Sequence, residues 1–419
     1  MRGALALLFG LAFALAGVLL SFNAPFEVLV GKAQTLGNRL VERLVSPTQS
    51  YLAVYWIGAA FLVFGVYLLA RGVRAIGINI LETLNPGLTG AKMDAYVRRR
   101  QLAQGPKIVA IGGGTGLSTL LRGLKHYSSN ITAIVTVTDD GGSSGRLAKD
   151  KGMIPPGDIR NCLVALADAE KAMTDLFQHR FRNDSGSLSG HSMGNLLIAA
   201  LVDQAGGDFD RAVEIASDVL TIRGQVVPST LAHTGLRATF DDGTIVSGET
   251  AIADARKRIR RIELTQVDAQ AHGPALEAIA EADLICLGPG SVYTSVVPPL
   301  LVGGISAALA ASDALKIYVC NVMTQPGESD AMTASEHVGA ILDHVDGRAI
   351  DAVLVNTGVP SETALARYRE VGQILVEADI DRIRARGVRV IPGNLVSETD
   401  VVRHDPAKVA ARLVREIGL

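Results

Sequence analysis

The chain is short of cysteines, of aromatic residues and of any imbalance of charge, and each shortage excludes a class. Its three cysteines, Cys162, Cys286 and Cys320, lie far apart and make no C-x-x-C pair. That argues against a disulfide framework or a structural zinc site and fits a reducing compartment. The eight histidines do not group at metal-ligand spacing, so no zinc site is expected. Charged residues are only 20% of 419, with a net charge of −2, which gives no whole-protein attraction to nucleic acid. The 44 glycines and 15 prolines follow no fixed period, which removes collagen-like and low-complexity classes. Apolar residues are plentiful: they make up 48% of the chain, with a mean hydropathy of +0.29. So apolar a chain offsets its ordering entropy by burial, which excludes intrinsic disorder.

The apolar excess sits in the first 70 residues. Residues 3–20 and 51–70 are free of charge, and about 20 helical residues cross a hydrocarbon core of roughly 30 Å. Residues 1–70 are therefore expected to form a hairpin of two transmembrane helices. A cleaved signal peptide is the alternative for the first run, and a buried core helix for the second. After Ala70 come Arg71, Arg74, Lys92, Arg98, Arg99, Arg100 and Lys107, against Glu82 and Asp94. The loop between the runs holds Lys32, Arg39 and Arg43 against Glu27 and Glu42. Basic flanks stay cytoplasmic, so a two-span protein of the cytoplasmic membrane is predicted, with both termini inside. Residues 71–105, broken at Asn85-Pro86-Gly87, read as a basic juxtamembrane linker, and residues 106–419 as one large cytoplasmic domain.

That domain opens with a short apolar strand at 107–111, then Gly112-Gly113-Gly114-Thr115-Gly116, then a helical run at 117–124. A strand, a glycine loop and a helix make the first unit of a nucleotide-binding α/β fold, in which the helix N-terminus offers N–H groups to a phosphate. A second strand, 131–138, ends in Asp139-Asp140, placed to hold a ribose or, as adjacent carboxylates, Mg²⁺. Gly141-Gly142-Ser143-Ser144-Gly145-Arg146 reads as a flexible, donor-rich loop at the same edge. Strands at 283–287, 316–320 and 352–355 finish on Gly288-Pro289-Gly290-Ser291 with Tyr293 beyond, on Asn321 with Thr324 and Gln325, and on Asn356. Apolar strands alternating with helices predict a Rossmann-like αβα domain with a mainly parallel sheet, whose ligands bind outside the C-terminal strand ends.

Two helix entries belong to the same edge: Asp158 (a plausible N-cap) with Arg160 and Asn161, and His191 to Asn195. His191 beside Ser192 is not read as a base and nucleophile, because adjacent residues seldom face each other. Residues 221–268 suggest a small β insertion, and the basic run Arg256 to Arg261 a solvated face. Arg403 is either a surface residue or a phosphate clamp.

The motifs VAIGGGTGLSTLLRGL (109–124), VTVTDDGGSSGRL (135–147), PPGDIRNCLVAL (155–166), GHSMGNLLIAAL (190–201), GPGSVYTSVVPPLL (288–301) and CNVMTQPGES (320–329) occur in that order. Together they closely resemble the YvcK family of gluconeogenesis factors, whose wider superfamily includes 2-phospho-L-lactate transferase. The resemblance spans about residues 106–419 and implies a regulatory domain, not an enzyme, that binds UDP-N-acetylglucosamine and requires no cofactor. It also implies a protein partner in hexosamine or cell-wall precursor synthesis and a role in cell shape. A homo-oligomer is compatible with it. The implied ligand contacts are Gly112 to Gly116, Asp139 to Ser144, His191 to Asn195, Gly288 to Tyr293 and Arg403. Two alternatives are kept: a phospholactate-transferase-like enzyme using Mg²⁺ at Asp139 and Asp140, and, on the glycine-to-aspartate spacing alone, an NAD-dependent oxidoreductase.

Overall fold

The computed structural model describes residues 9–14, 16, 50–84, 97, 100–168, 170–182, 186–345, 349–397 and 402–418. They divide into two units, Met1–Arg99 and Arg100–Leu419.

In the first unit the helix Ser50–Leu84 runs for 35 residues, about 50 Å. Its segment Trp56–Ala75 is the one helix among the described residues long and apolar enough to cross a membrane by length and composition. The helix does not stop at Ala70. It continues through the first part of the expected linker to Leu84, because no proline intervenes before Pro86. Residues 9–14 are helical and lie against it. The ring of Phe13 stacks on Phe61 at 5.4 Å and meets Phe64 edge-on at 5.3 Å. At the crossing, a Cβ on Gly10 would lie 2.7 Å from the Leu69 amide nitrogen, and one on Gly65 would strike the Ala14 backbone. Two glycines thus let the backbones approach, as small residues do between membrane helices. The rest of the first apolar run, the loop 17–49 and the break at 85–87 lie outside the described residues.

In the second unit seven strands pair in the order β10-β9-β8-β7-β1-β2-β3: β1 (Ile108–Gly112), β2 (Ile131–Val135), β3 (Gln225–Pro228), β7 (Leu284–Leu287), β8 (Leu315–Val319), β9 (Ala352–Asn356) and β10 (Arg389–Gly393). Every pairing is parallel. Alternate residues of β1 enter opposite cores: Ile108 and Ala110 join one cluster, Val109 and Ile111 the other. Helices cover both faces, which is why these strands read as unbroken apolar runs. Two strands had no clear signal in the sequence. β3 is only four residues and lies at one edge of the sheet. β10 lies at the other edge and contains Pro392, which an edge strand tolerates.

The β insertion is real but shorter than 221–268, because Gln225–Pro228 belongs to the main sheet. It comprises β4 (Leu236–Phe240), β5 (Ile245–Ser247), the helix Glu249–Asp254 and β6 (Ile259–Leu264), an antiparallel sheet ordered β5-β4-β6. Its basic run is a solvated face: Lys257 pairs with Asp242 at 2.7 Å, and Arg258 with Glu336 at 3.0 Å. The three cysteines are buried and unbridged, and burial pushes the thiols of Cys286 and Cys320 up to about 12.

Candidate functional site

Strand order reverses between β1 and β7, and this is where an open parallel sheet leaves a crevice. The loops following those two strands touch. A Cβ on Gly116 would collide with the Pro289 carbonyl oxygen, so only glycine lets the first helix lie this close to the Gly288–Ser291 turn. Asn321, just beyond β8, locks that turn: its Oδ1 accepts from the Gly290 amide at 3.1 Å, and its Nδ2 donates to the Gly290 carbonyl at 2.8 Å. A cleft of about 250 Å³ opens here, lined by Thr115, Gly116, Gly290, Asn321, Tyr368 and Arg403 among others.

The glycine loop is more helical than its composition suggests. The helix Gly114–Leu124 begins inside it. Gly114 donates its amide to Asp158 Oδ2 at 2.7 Å, while Thr115 and Gly116 precede the first residue that bonds within the helix. Those two first-turn amides border the cleft and remain for an anionic ligand. Asp158 is therefore not an N-cap. It lies in the first turn of the helix Gly157–Leu166 and reaches across to the glycine loop. Burial pushes its carboxyl up to about 6, with the neighbouring Asp139 adding to the effect and the Gly114 bond opposing it.

Beside Asp158 lies a group of carboxylates that the sequence reading did not assemble. Glu249, from the insertion, is pushed up to about 9 by burial and then by Asp139, Asp158, Glu328 and Asp140. Glu328 is pushed up to about 7 by burial; it accepts hydrogen bonds from Ser291 and, at 3.1 Å, from Thr294. Asp139 and Asp140 do not act as a pair. Asp139 Oδ1 accepts from the Gly141 amide at 2.9 Å, whereas Asp140 Oδ1 accepts from Thr250 N at 3.0 Å and Thr250 Oγ1 at 2.8 Å, anchoring the insertion helix. Among the described residues no three His, Cys, Asp or Glu side chains are placed to hold one metal ion. The carboxylates suit a divalent cation in charge, but one oxygen each of Asp139, Asp140, Asp158 and Glu328 is already engaged by a protein donor.

The expected flexible loop 141–146 is instead a helix start. Gly142–Lys151 is helical, with Gly142, Ser143 and Ser144 in its first turn, and Ser144 Oγ accepts from the Gly157 amide at 3.0 Å. Ser143 faces the other helix entry: its Oγ lies 3.0 Å from His191 Nδ1 and 3.0 Å from Asn195 Nδ2. Arg160 donates to Ser192 Oγ (2.5 Å), Asn195 Oδ1 (2.8 Å) and Asn161 Oδ1 (2.8 Å). Ser192 caps the helix Met193–Gln204 and is not His191's partner, in keeping with the sequence reading.

The strand-end motifs thus converge on one edge but not on one pocket. Gly116, Gly290, Asn321, Thr115 and Arg403 line the switch-point cleft; Gly112, Gly113, Gly114 and Gly288, in the two touching loops, do not line it, nor do Arg146, Arg160, Asn161, His191 and Asn195. Tyr293 does not line this cleft. It is 7% exposed, its hydroxyl donates to the Ile259 carbonyl at 3.3 Å, and burial pushes it up to about 12. Tyr368 is the aromatic in the cleft. It comes from the helix Glu362–Glu370, which carries no motif that would have marked it.

Comparison with known proteins accounts for this arrangement. Residues 108–396 match the family model described as 2-phospho-L-lactate transferase CofD. The chain is similar to the gluconeogenesis factor of Bacillus subtilis, 48% identical over 75% of this chain and 98% of that one. It is also similar to that of Halalkalibacterium halodurans, 49% identical over 73% and 95%. A Nostoc relative carrying a provisional form of the same name is 47% identical over 90% of this chain and 83% of its own. That match must enter the region before residue 106, so part of the N-terminal region is shared as well. A crystal structure of a Bacillus halodurans protein of the UPF0052 family is 48% identical and superposes with a TM-score of 0.71, covering 74% of this chain and 99% of that one. By its motifs, its sheet order and these identities, the chain belongs to the CofD/UPF0052 family, among its gluconeogenesis factors.

Proposed function

We propose that this gluconeogenesis factor is a regulatory protein that binds a nucleotide sugar, UDP-N-acetylglucosamine, in the switch-point cleft. The observation that carries the reading is the cleft itself: Arg403 and the spare amides of Thr115 and Gly116 border one cavity together with the ring of Tyr368. A diphosphate needs fixed positive charge and N–H donors, which the arginine and the helix N-terminus supply. A flat base needs an apolar face, and Tyr368 offers one. The sugar hydroxyls then extend toward the carboxylates of Asp158 and Glu328, which accept hydrogen bonds.

In this reading the protein contacts an enzyme of hexosamine or wall-precursor synthesis and so bears on cell shape. The N-terminal hairpin spans the cytoplasmic membrane twice and holds the large domain at its inner face. Calorimetric titration of the full-length protein in detergent with UDP-N-acetylglucosamine, GDP and NAD tests the ligand. Saturable heat with the first alone supports the proposal, and its absence from folded protein refutes it. The family-model match favours one second reading, a transferase related to CofD. Product formation from a nucleotide-activated donor, abolished by Asp139→Asn, would establish it in place of the regulatory role.

A further inference from the structure

A second concentration of charge lies outside the switch-point cleft. Arg146, Arg160, Arg180 and His191 lie near one another and none of them lines the cleft: His191 Nδ1 is 3.0 Å from the Ser143 hydroxyl, the charge of Arg180 acts on Arg160, and that of Arg146 acts on His191. Arg146 Nη2 donates to the Ser189 carbonyl at 2.9 Å, and Arg180 Nη1 to the Gly190 carbonyl at 3.0 Å. Both guanidiniums are thereby pinned to the turn that leads into His191, and each spends only one of its five N–H donors there. Gly190 has φ +75°, and a Cβ on it would lie 3.2 Å from Arg146 Nη2, so the turn is fitted to that guanidinium.

Arg160 is 7% exposed, its Nε is buried without a partner, and no carboxylate lies within ion-pair distance of any of the three arginines among the described residues. A buried cation with no contacting anion is costly, because carboxylates at a distance replace its lost water only in part. Burial and then the nearby Arg180 work against Arg160's charge, and the carboxylates of Asp158 and Asp139 only partly offset them. The hydrogen bonds also have a fixed direction. Arg160 can only donate, so it takes the Oδ1 of Asn195. The Asn195 amide then donates to Ser143 Oγ, and the Ser143 hydroxyl hydrogen is left for His191 Nδ1. The hydroxyl hydrogen aimed at Nδ1 makes that nitrogen the acceptor and leaves the ring proton on Nε2; burial, followed by Arg146, also holds the His191 pKa below its ordinary value, with Asp150 opposing.

We propose that Arg146, Arg160, Arg180 and His191 form a second anion subsite, separate from the switch-point cleft, that takes the phosphate group of a second small ligand. A phosphate group suits it, because three arginines from different helices and loops keep N–H donors to spare, whereas a planar carboxylate is satisfied by a single bidentate arginine. The ligand is a phosphate monoester or free phosphate, and the nucleotide in the other cleft does not enter the argument.

The test titrates the full-length protein in detergent with inorganic phosphate, glycerol 3-phosphate and, for comparison, acetate. Two variants are used: Arg146→Ala with Arg180→Ala, which removes exposed side chains and spares the buried Arg160, and Arg403→Ala. The double variant should weaken phosphate or phosphate-ester binding by at least about tenfold while leaving UDP-N-acetylglucosamine affinity within twofold. Arg403→Ala should do the reverse. Tighter binding of glycerol 3-phosphate than of phosphate assigns the site to an ester, and equal binding to the free ion. The proposal is overturned if neither phosphate compound binds, if acetate binds as well as they do, or if the double variant weakens the nucleotide sugar and phosphate equally. Loss of nucleotide-sugar binding in all proteins, with phosphate binding intact, would remove the cleft assignment and leave the second subsite standing.

Discussion

Replacing Glu249 with Gln should stabilise the protein at neutral pH and do nothing in mild acid. Glu249 opens the helix that Asp140 ties to the site through Thr250, and four other carboxylates act on it. Its carboxyl is raised from 4.5 to about 9. An acid with a raised pKa in the fold holds a proton that the unfolded chain has already released. Folding must therefore take up a proton at any pH between the two values, and stability falls by about 1.4 kcal/mol per pH unit across that window. Below the unfolded value both states are protonated and the cost vanishes. At pH 7.5 the full cost is about 4 kcal/mol; the side chain is only partly enclosed, and water reaching it reduces this to roughly 2 kcal/mol. Glutamine keeps the shape and cannot ionise, so Glu249→Gln should recover that amount. For a unit of this size the gain is roughly 3 °C in Tm. Differential scanning calorimetry of the two proteins at pH 7.5 and pH 4.5 checks it. An unchanged or lower Tm at pH 7.5, or an equal gain at both pH values, would show that burial and the neighbouring carboxylates do not hold the Glu249 carboxyl above its ordinary range.

Three further outcomes follow from the site and the N-terminal unit. Arg403→Ala should weaken UDP-N-acetylglucosamine binding by about 1.5–3 kcal/mol; an unchanged Kd by calorimetry would place Arg403 on the ordinary surface. Tyr293→Phe should cost about 1 kcal/mol of stability in a denaturant melt by losing the bond to Ile259, yet leave the same Kd unaltered. Because the three native cysteines are buried, a single Asn38→Cys substitution makes a clean topology probe. It should react with a membrane-impermeant maleimide on intact spheroplasts, and reaction only after lysis would overturn the two-span hairpin.

The sequence by itself determined the fold class. β1 and, up to its terminal Asn356, β9 are apolar because a parallel sheet is covered on both faces, and glycine and short polar residues stand at their ends where the loops approach closely. It also marked part of the cleft, since Gly116 and Asn321 sit in motifs whose spacing is a local property of the chain. Edge strands such as β10, with Pro392, lack that signal because one side makes no ladder bonds.

The division of labour among the polar residues was decided only by tertiary structure. Asp139 and Asp140 are adjacent in the chain, yet one turns to its own loop and the other to an insertion more than a hundred residues away. Tyr368, which no motif marked, lines the cleft in place of Tyr293, because the bond of Tyr293 to Ile259 is a long-range contact. Whether a charge attracts or repels depends on distances through space, and Glu249, Glu328 and Asp158 come together only once the insertion folds back over the sheet. A string of residue types fixes which groups are available; the closed chain fixes which of them share a dielectric and a neighbour.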